Sequence, residues 1–204
     1  PNTSNVVINR LAKLLPNLVG GSADLAPSTK TLIKDGGDYS AQNRAGRNLH
    51  FGVREHAMGA ICNGIALHGG LKVYCATFFV FSDYMKYAIR LSAMMHLPVT
   101  YVLTHDSIGV GEDGPTHQPI EQLAGLRAIP ELTVFRPADG PETAAGWLTA
   151  VKDGKPVCLV LTRQNLKLQK GSSEVACKGG YVLSDSKKAT PQLLLIGSGS
   201  EVEP

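Results

Sequence analysis

Short apolar runs alternate with helix-period segments along most of this chain, and that alternation limits the fold more than any single residue does. Val99 to Leu103, directly after Pro98, is a strand-like run with no alternating polar face. Lys72 to Ala76 and Val157 to Leu161 read the same way, and Asn48 to Gly52 and Leu132 to Phe135 are shorter candidates. Strands covered on both faces have this character, because neither face meets water. Between them lie helix signals. Arg54 to His68 is stopped by Gly69-Gly70. Ser82 to Met95 places Met85, Ile89 and Met95 for burial. Pro119 suits the first turn of a helix through Ala128, and Asp139 and Pro141 cap and start one through Val151. Before them, Val6 to Leu15 carries Val7, Leu11, Leu14 and Leu15 on an apolar side. The expected fold is α/β: a mostly parallel sheet with helices on both faces. In such sheets ligands bind at the carboxyl ends of strands.

Composition narrows the function classes. The 204 residues are 43% hydrophobic and 18% charged, as a globular domain with a sizeable core requires. A net charge of +3 without a Lys/Arg block gives no case for nucleic acid, yet suits acidic or phosphorylated small substrates. No apolar run approaches the roughly 18 residues of a membrane span. Cys62, Cys75, Cys158 and Cys177 show no CxxC spacing and read as reduced core thiols of a cytoplasmic protein.

After Gln164 the character changes. Asn165 to Lys178 is polar and aperiodic, which reads as a linker. Gly180 to Leu183 and Gln192 to Ile196 read as two further strands, with a helix expected to begin near Pro204. The expected organisation is a main domain over 1–166, a linker over 167–178, and the truncated start of another domain over 179–204. Ala26 to Gly46 is long, polar and glycine-containing, and reads as a loop.

Several residues stand at positions where chemistry is expected. Glu55 opens an otherwise apolar, small-residue helix; as a bare pattern it is a first-turn acid favoured by the helix dipole. On the same helix Ala57, Ala60, Ile61, Gly64 and Ile65 share a side, and Ala60-x-x-x-Gly64 implies a tight crossing within the fold or at a two-fold axis. Phe78, Phe81 and Tyr84 follow at i, i+3, i+6: either core, or a slot that stacks a planar ring. The segment Thr104 to Pro119 leaves the end of the Val99 run. It holds His105, Asp113 and His117 as candidate polar groups for a sugar-like substrate. Its Gly109, Gly111 and Gly114 match GxGxxG, but Glu112 and Asp113 would repel a diphosphate, and Pro115 and Pro119 oppose a phosphate-binding helix there. The histidines have no recognised metal spacing, and nothing around Ser107 resembles a nucleophile elbow. Arg163 ends the last main-domain strand, where a guanidinium suits a substrate phosphate or simply meets solvent. Gly20 to Leu25, with Asp24, is a tight strand exit carrying an acid.

Together these segments resemble transketolase. The carriers are VGGSADLAPS (Val19 to Ser28), HFGVREHAMGAICNGIALHGG (His50 to Gly70), TFFVFSDY (Thr77 to Tyr84), THDSIGVGEDGPTHQPIEQLA (Thr104 to Ala124), FRPADGPE (Phe135 to Glu142) and TRQNL (Thr162 to Leu166). They stand in the family's order and cover almost all of 1–166. Deoxyxylulose-phosphate synthases and pyruvate dehydrogenase β subunits share the fold and a comparable glutamate, but differ in these loops. The match is to the family's central, pyrimidine-binding domain, followed from about Gly179 by the start of its C-terminal domain.

The resemblance implies transfer of a two-carbon ketol unit from a ketose phosphate to an aldose phosphate with thiamine diphosphate. Glu55 would hydrogen-bond the aminopyrimidine ring nitrogen and favour its imino tautomer. Phe78, Phe81 and Tyr84 would hold that ring, and Asp24 would lie near the cofactor or the dimer interface. His117 would assist proton transfer, Asp113 would contact an acceptor hydroxyl, and Ser28, His105 and Arg163 would bind the sugar phosphate. The diphosphate and a divalent cation, Mg2+ or Ca2+, would be held by an N-terminal domain of the partner chain in a homodimer. That domain's GDG…N motif is not found in these residues, so no metal ligand is expected here and the chain alone should be inactive. The family would have a phosphate-binding arginine near Pro1, so an engineered or processed start is expected. The alternatives are a related ketol transferase such as a dihydroxyacetone synthase, or a non-catalytic dimerising domain or split subunit.

Overall fold

The computed structural model describes residues 1–187 and 190–203; the helix start expected at Pro204 lies outside the described residues. Six strands form a single sheet: β1 (Leu18–Ser22), β2 (Asn48–His50), β3 (Lys72–Phe78), β4 (Val99–Thr104), β5 (Thr133–Phe135) and β6 (Val157–Leu161). Their order is β2-β1-β3-β4-β6-β5, and every pairing is parallel. The helices are α1 (Asn2–Leu14), the short α2 (Ala26–Thr29), α3 (Glu55–His68), α4 (Ser82–Met94), α5 (Gln122–Arg127) and α6 (Gly140–Lys152).

Side chains alternate across a strand, so one strand feeds two cores. Tyr74 of β3 points into the core that Ile8 and Ala12 of α1 share with Trp147 and Ala150 of α6. Its neighbour Cys75 points into the other, with Met58 and Cys62 of α3, Met85 and Ile89 of α4, and Leu126 of α5. The expected layering, helices on both faces of a parallel sheet, is what forms. The largest polar side chains inside these layers are paired, while the buried Thr77 and Thr149 hydroxyls have no hydrogen-bond partner among the described residues. Trp147 Nε1 donates to Ser4 Oγ at 2.8 Å, and the Tyr101 hydroxyl lies 3.0 Å from both Asn63 Oδ1 and Ser92 Oγ. Asn63 in turn donates to the Ala88 carbonyl at 2.9 Å, which ties α3 to α4. An unpaired amide or hydroxyl at such depth would cost about 1–3 kcal/mol.

Several expectations are corrected. Along α1 and its C-cap, Val7, Leu11 and Leu15 pack partly buried against the core as expected, but the fully buried stripe is Ser4, Ile8 and Ala12, and Leu14 is exposed. Met95 lies just past α4 and is exposed. The helix read from Pro119 begins at Gln122, because the Gln122 side chain folds back to accept from Ile120 N at 2.8 Å and donates to Asp83 Oδ2 at 2.7 Å. Gly180 to Leu183 and Gln192 to Ile196 are not strands among the described residues. Without a neighbouring strand an apolar run has no ladder to join, and Leu193 to Ile196 are exposed. Asn165 to Lys178, read as a linker, is in part docked. Gln169 N and Ser172 Oγ donate to Asp139 Oδ2, and a 3-10 turn over Glu174–Lys178 buries Ala176. Cys177, read as a core thiol, is exposed on that turn; Cys62, Cys75 and Cys158 are buried.

Within this chain the tight helix crossing is at Gly59, not at Ala60 and Gly64. A Cβ on Gly59 would stand 2.9 Å from both Ala88 Cβ and Met85 Cγ, whereas one on Gly64 would meet nothing within 4 Å. Ala57, Ala60, Ile61 and Gly64 form an exposed stripe. Gly59→Val should therefore destabilise the fold by about 1–3 kcal/mol through overpacking. Gly64→Ala should stabilise it by about 0.5–1 kcal/mol through helix propensity. Urea unfolding of both variants checks the pair; equal effects would contradict the assigned crossing.

Candidate active site

The parallel sheet delivers its strand ends to one edge, and the candidate residues collect there. β3 ends at Phe78, a 3-10 turn over Phe79–Phe81 follows, and α4 starts at Ser82. The turn sends Phe79 into the core and leaves the other aromatics in a stack. Phe78 and Phe81 are 6.1 Å apart at 6°, and Phe81 and Tyr84 are 6.0 Å apart at 26°. Phe78 is buried, Phe81 half-buried and Tyr84 67% exposed, so the stack opens from core to solvent. β4 ends next door and delivers His105, whose ring lies 3.8 Å from Phe78. His117 returns edge-on to Phe81, at 5.3 Å and 72°. Two imidazoles thus flank an aromatic slot, as ring geometry favours.

His105 is buried. Burial pushes its pKa down to about 4, and the nearby Arg163 guanidinium and His117 push the same way against the opposing pull of Asp113. It is therefore neutral near pH 7, with Nδ1 2.9 Å from the Thr104 hydroxyl. His117 Nδ1 is paired with the Thr116 hydroxyl at 2.8 Å. Asp113 and Arg163 are exposed and within electrostatic reach of His105. His105, His117, Asp113, Arg163 and the aromatic slot form one cluster.

Glu55, Asp24 and Ser28 sit at the same sheet edge, but no hydrogen bond or ring contact among the described residues joins their side chains to the cluster. Glu55 starts α3 just after β2; it is buried, and its carboxylate has no hydrogen-bond or ion-pair partner among the described residues. Asp24 is exposed after β1 with φ +61°, and Ser28 is exposed on α2. The glycines Gly111 and Gly114 serve left-handed turns, with φ +95° and +72°, in a loop that does not open a helix. Ser107 caps the turn over Ile108–Val110, its Oγ accepting from Gly109 N at 3.1 Å.

Residue-type patterns missed the supports beneath this edge. Asp106 Oδ2 accepts from Arg136 Nε at 2.8 Å and from the Thr162 hydroxyl at 3.0 Å, all in the interior. A single aspartate beside a more conspicuous histidine carries no periodic signal, and its partners come from two distant strands. An open apolar groove of about 610 Å³ lies elsewhere, at the far end of α3, lined by residues such as Ile61, Ile65 and Leu71. It has no titratable chemistry beyond His68.

The arrangement suits a flat, nitrogen-bearing ring: a graded aromatic stack, neutral imidazole at its base, and on the same edge the Glu55 carboxylate, which no protein group among the described residues pairs. Among the described residues no group of three or more His, Cys, Asp or Glu could hold a metal ion. A family model described as transketolase, pyrimidine binding domain, matches residues 2–169. The chain belongs to the transketolase family. A transketolase of Bacillus subtilis (strain 168) is 62% identical over 205 residues, which are 98% of this chain and 31% of that protein. A chloroplastic transketolase of Solanum tuberosum is 58% identical, with 99% of this chain and 28% of that protein covered. The solved Pichia stipitis transketolase in complex with sedoheptulose-7-phosphate superposes with a TM-score of 0.88 at 49% identity, over 92% of this chain and 29% of that one. A structure described as a split gene transketolase, inactive beta4 tetramer, superposes with a TM-score of 0.66 at 28% identity, over 82% of this chain and 52% of that one. The chain thus spans about 31% of the Bacillus relative's length.

The lowered His105 pKa has a consequence for stability. Folded His105 titrates at about 4 and an unfolded histidine near 6.5, so the unfolded state binds this proton first. The folded state is favoured most above 6.5, and stability should fall as pH drops from 6.5 towards 4. Urea unfolding at pH 7.5 and 4.5 should show a larger loss for the parent chain than for His105→Asn. An equal loss would contradict a buried neutral imidazole.

Proposed function

We propose that this chain supplies the pyrimidine-binding half of a thiamine-diphosphate-dependent ketol transferase acting on sugar phosphates. The observation that carries the reading is the Phe78, Phe81 and Tyr84 stack, flanked by His105 and His117. The unpartnered Glu55 carboxylate on the same edge supports it. Bound thiamine diphosphate supplies the electron sink that lets a carbon–carbon bond beside a carbonyl break and reform. Phe78, Phe81 and Tyr84 would hold its pyrimidine ring. Glu55 would hydrogen-bond a ring nitrogen and share a proton with it. His117 would move a proton at the substrate oxygen. Neutral His105 can donate one hydrogen bond to a phosphate, and Arg163 adds charge and two-pronged geometry. Ser28 would be a further phosphate contact, Asp113 would face an acceptor hydroxyl, and Asp24 would lie towards the cofactor.

We further infer that a diphosphate-binding domain of a partner chain completes the site, together with a divalent cation bound there. The exposed Ala57, Ala60, Ile61 and Gly64 stripe supports a helix-to-helix contact with a second copy. We place the domain boundary near 166, with the residues after 179 starting a further domain. The buried thiols Cys62, Cys75 and Cys158 support a reducing, cytoplasmic setting. Likeness to the split gene protein described as an inactive tetramer favours a second reading, a subunit that assembles but does not catalyse by itself.

In the full-length enzyme carrying this chain, Glu55→Gln should lower kcat by about 100-fold or more while leaving the fold intact. Circular dichroism and turnover with a ketose phosphate and an aldose phosphate check this; near-normal turnover would remove Glu55 from the mechanism. Arg163→Ala should raise KM for phosphorylated sugars by roughly tenfold and leave unphosphorylated ones nearly unchanged. Equal effects on both would refute the phosphate role.

A further inference from the structure

His105 departs from β4 in the left-handed region, with φ +62°. A residue with a Cβ persists there only where its surroundings fix it. On its N-terminal side the β4 ladder does so through Thr104. On its C-terminal side the anchor is Asp106. The Asp106 side chain is fully buried, and its Oδ2 takes hydrogen bonds from Arg136 Nε at 2.8 Å and the Thr162 hydroxyl at 3.0 Å. Its Oδ1 is buried with no hydrogen-bond partner. A carboxylate held this way has little freedom to move without exposing an uncompensated charge. Arg136 follows β5 and Thr162 follows β6, so Asp106 joins the exits of three strands.

Arg136 is itself gripped from outside. It pairs with Glu201, with Nη2 to Oε1 at 2.8 Å, and donates to the Ser198 carbonyl at 3.3 Å. Gly199 N donates to the Arg136 carbonyl at 3.1 Å. A Cβ on Gly199 would come 2.8 Å from Arg136 Nε, so the close approach uses the missing side chain.

We propose that Asp106 and Arg136 are positioning residues that lock the left-handed turn at His105, hold its ring against Phe78 and so present its imidazole to the substrate phosphate. The inference rests on the phosphate-binding role proposed for His105. Glu201 and Gly199 steady the outer end of the clamp. A salt bridge that merely stabilised the sheet would change how much enzyme folds, not which substrates the folded enzyme distinguishes.

The test uses full-length enzyme loaded with thiamine diphosphate and compares Asp106→Asn, Thr162→Val and His105→Asn. Asp106→Asn should raise KM for a ketose phosphate by roughly tenfold, with kcat and the KM of an unphosphorylated ketose within about twofold. Thr162→Val removes only the second bond and should give a smaller rise of about threefold in the same sense; it decides the matter if Asp106→Asn does not fold. A normal KM for the phosphorylated sugar in either folded variant, or an equal rise for both sugars, overturns the proposal. The crystal structure of the variant gives an independent reading: His105 should leave the left-handed region or its ring should part from Phe78. An unmoved His105 overturns the clamp whatever the kinetics. If His105 moves but His105→Asn itself shows no preference between the sugars, the phosphate role has failed, and the proposed purpose of the clamp with it.

Discussion

Every strand of this sheet runs in one direction, and that shared direction is the constraint on which everything else depends. Parallel strands need crossover connections, so helices cover both faces and the central strands are largely apolar. Burial of both faces leaves chemistry only one place to appear, the edge where strands end and loops begin. β1, β2, β3, β4 and β6 each release a candidate residue there: Asp24, Glu55, Phe78, His105 and Arg163 in turn. None is near another in sequence. Their gathering follows from strand direction and register, not from local propensity.

The edge also imposes burial on polar groups that must then be satisfied. Asp106 sits under the loop that leaves β4, with Arg136 and Thr162, and Gln122 closes the same loop against Asp83. The loop from His105 to Ile120 is thus pinned at both ends by buried side chains, while Asp113 between them is exposed. Rigid ends and an open middle suit a loop that must present groups accurately and still admit substrate.

The parts legible in the sequence were those with local physical signals. The Gly69-Gly70 stop matches the end of α3, where Gly69 has φ +84°, and the apolar run at Val157 is β6. The aromatic spacing of Phe78, Phe81 and Tyr84 was visible as a pattern, but its stacking depends on the 3-10 turn over Phe79–Phe81. What local signals could not show was long-range pairing. Asp106, Arg136 and Glu201 come from distant segments, and the Gly59 crossing was hidden by the more obvious Ala60 and Gly64. Gln192 to Ile196 has strand composition, yet composition cannot supply a neighbouring strand.

In the proposed function these groups are half of a cofactor site: an aromatic slot and a carboxylate at one edge, with an exposed small-residue helix face beside them. The most direct measurement is a crystal structure of the full-length enzyme with thiamine diphosphate bound. The account predicts the pyrimidine ring against Phe78 and Phe81, a ring nitrogen within hydrogen-bond distance of Glu55, and the diphosphate on residues outside this chain. A pyrimidine ring bound elsewhere, or Glu55 pointing away from it, would contradict the account.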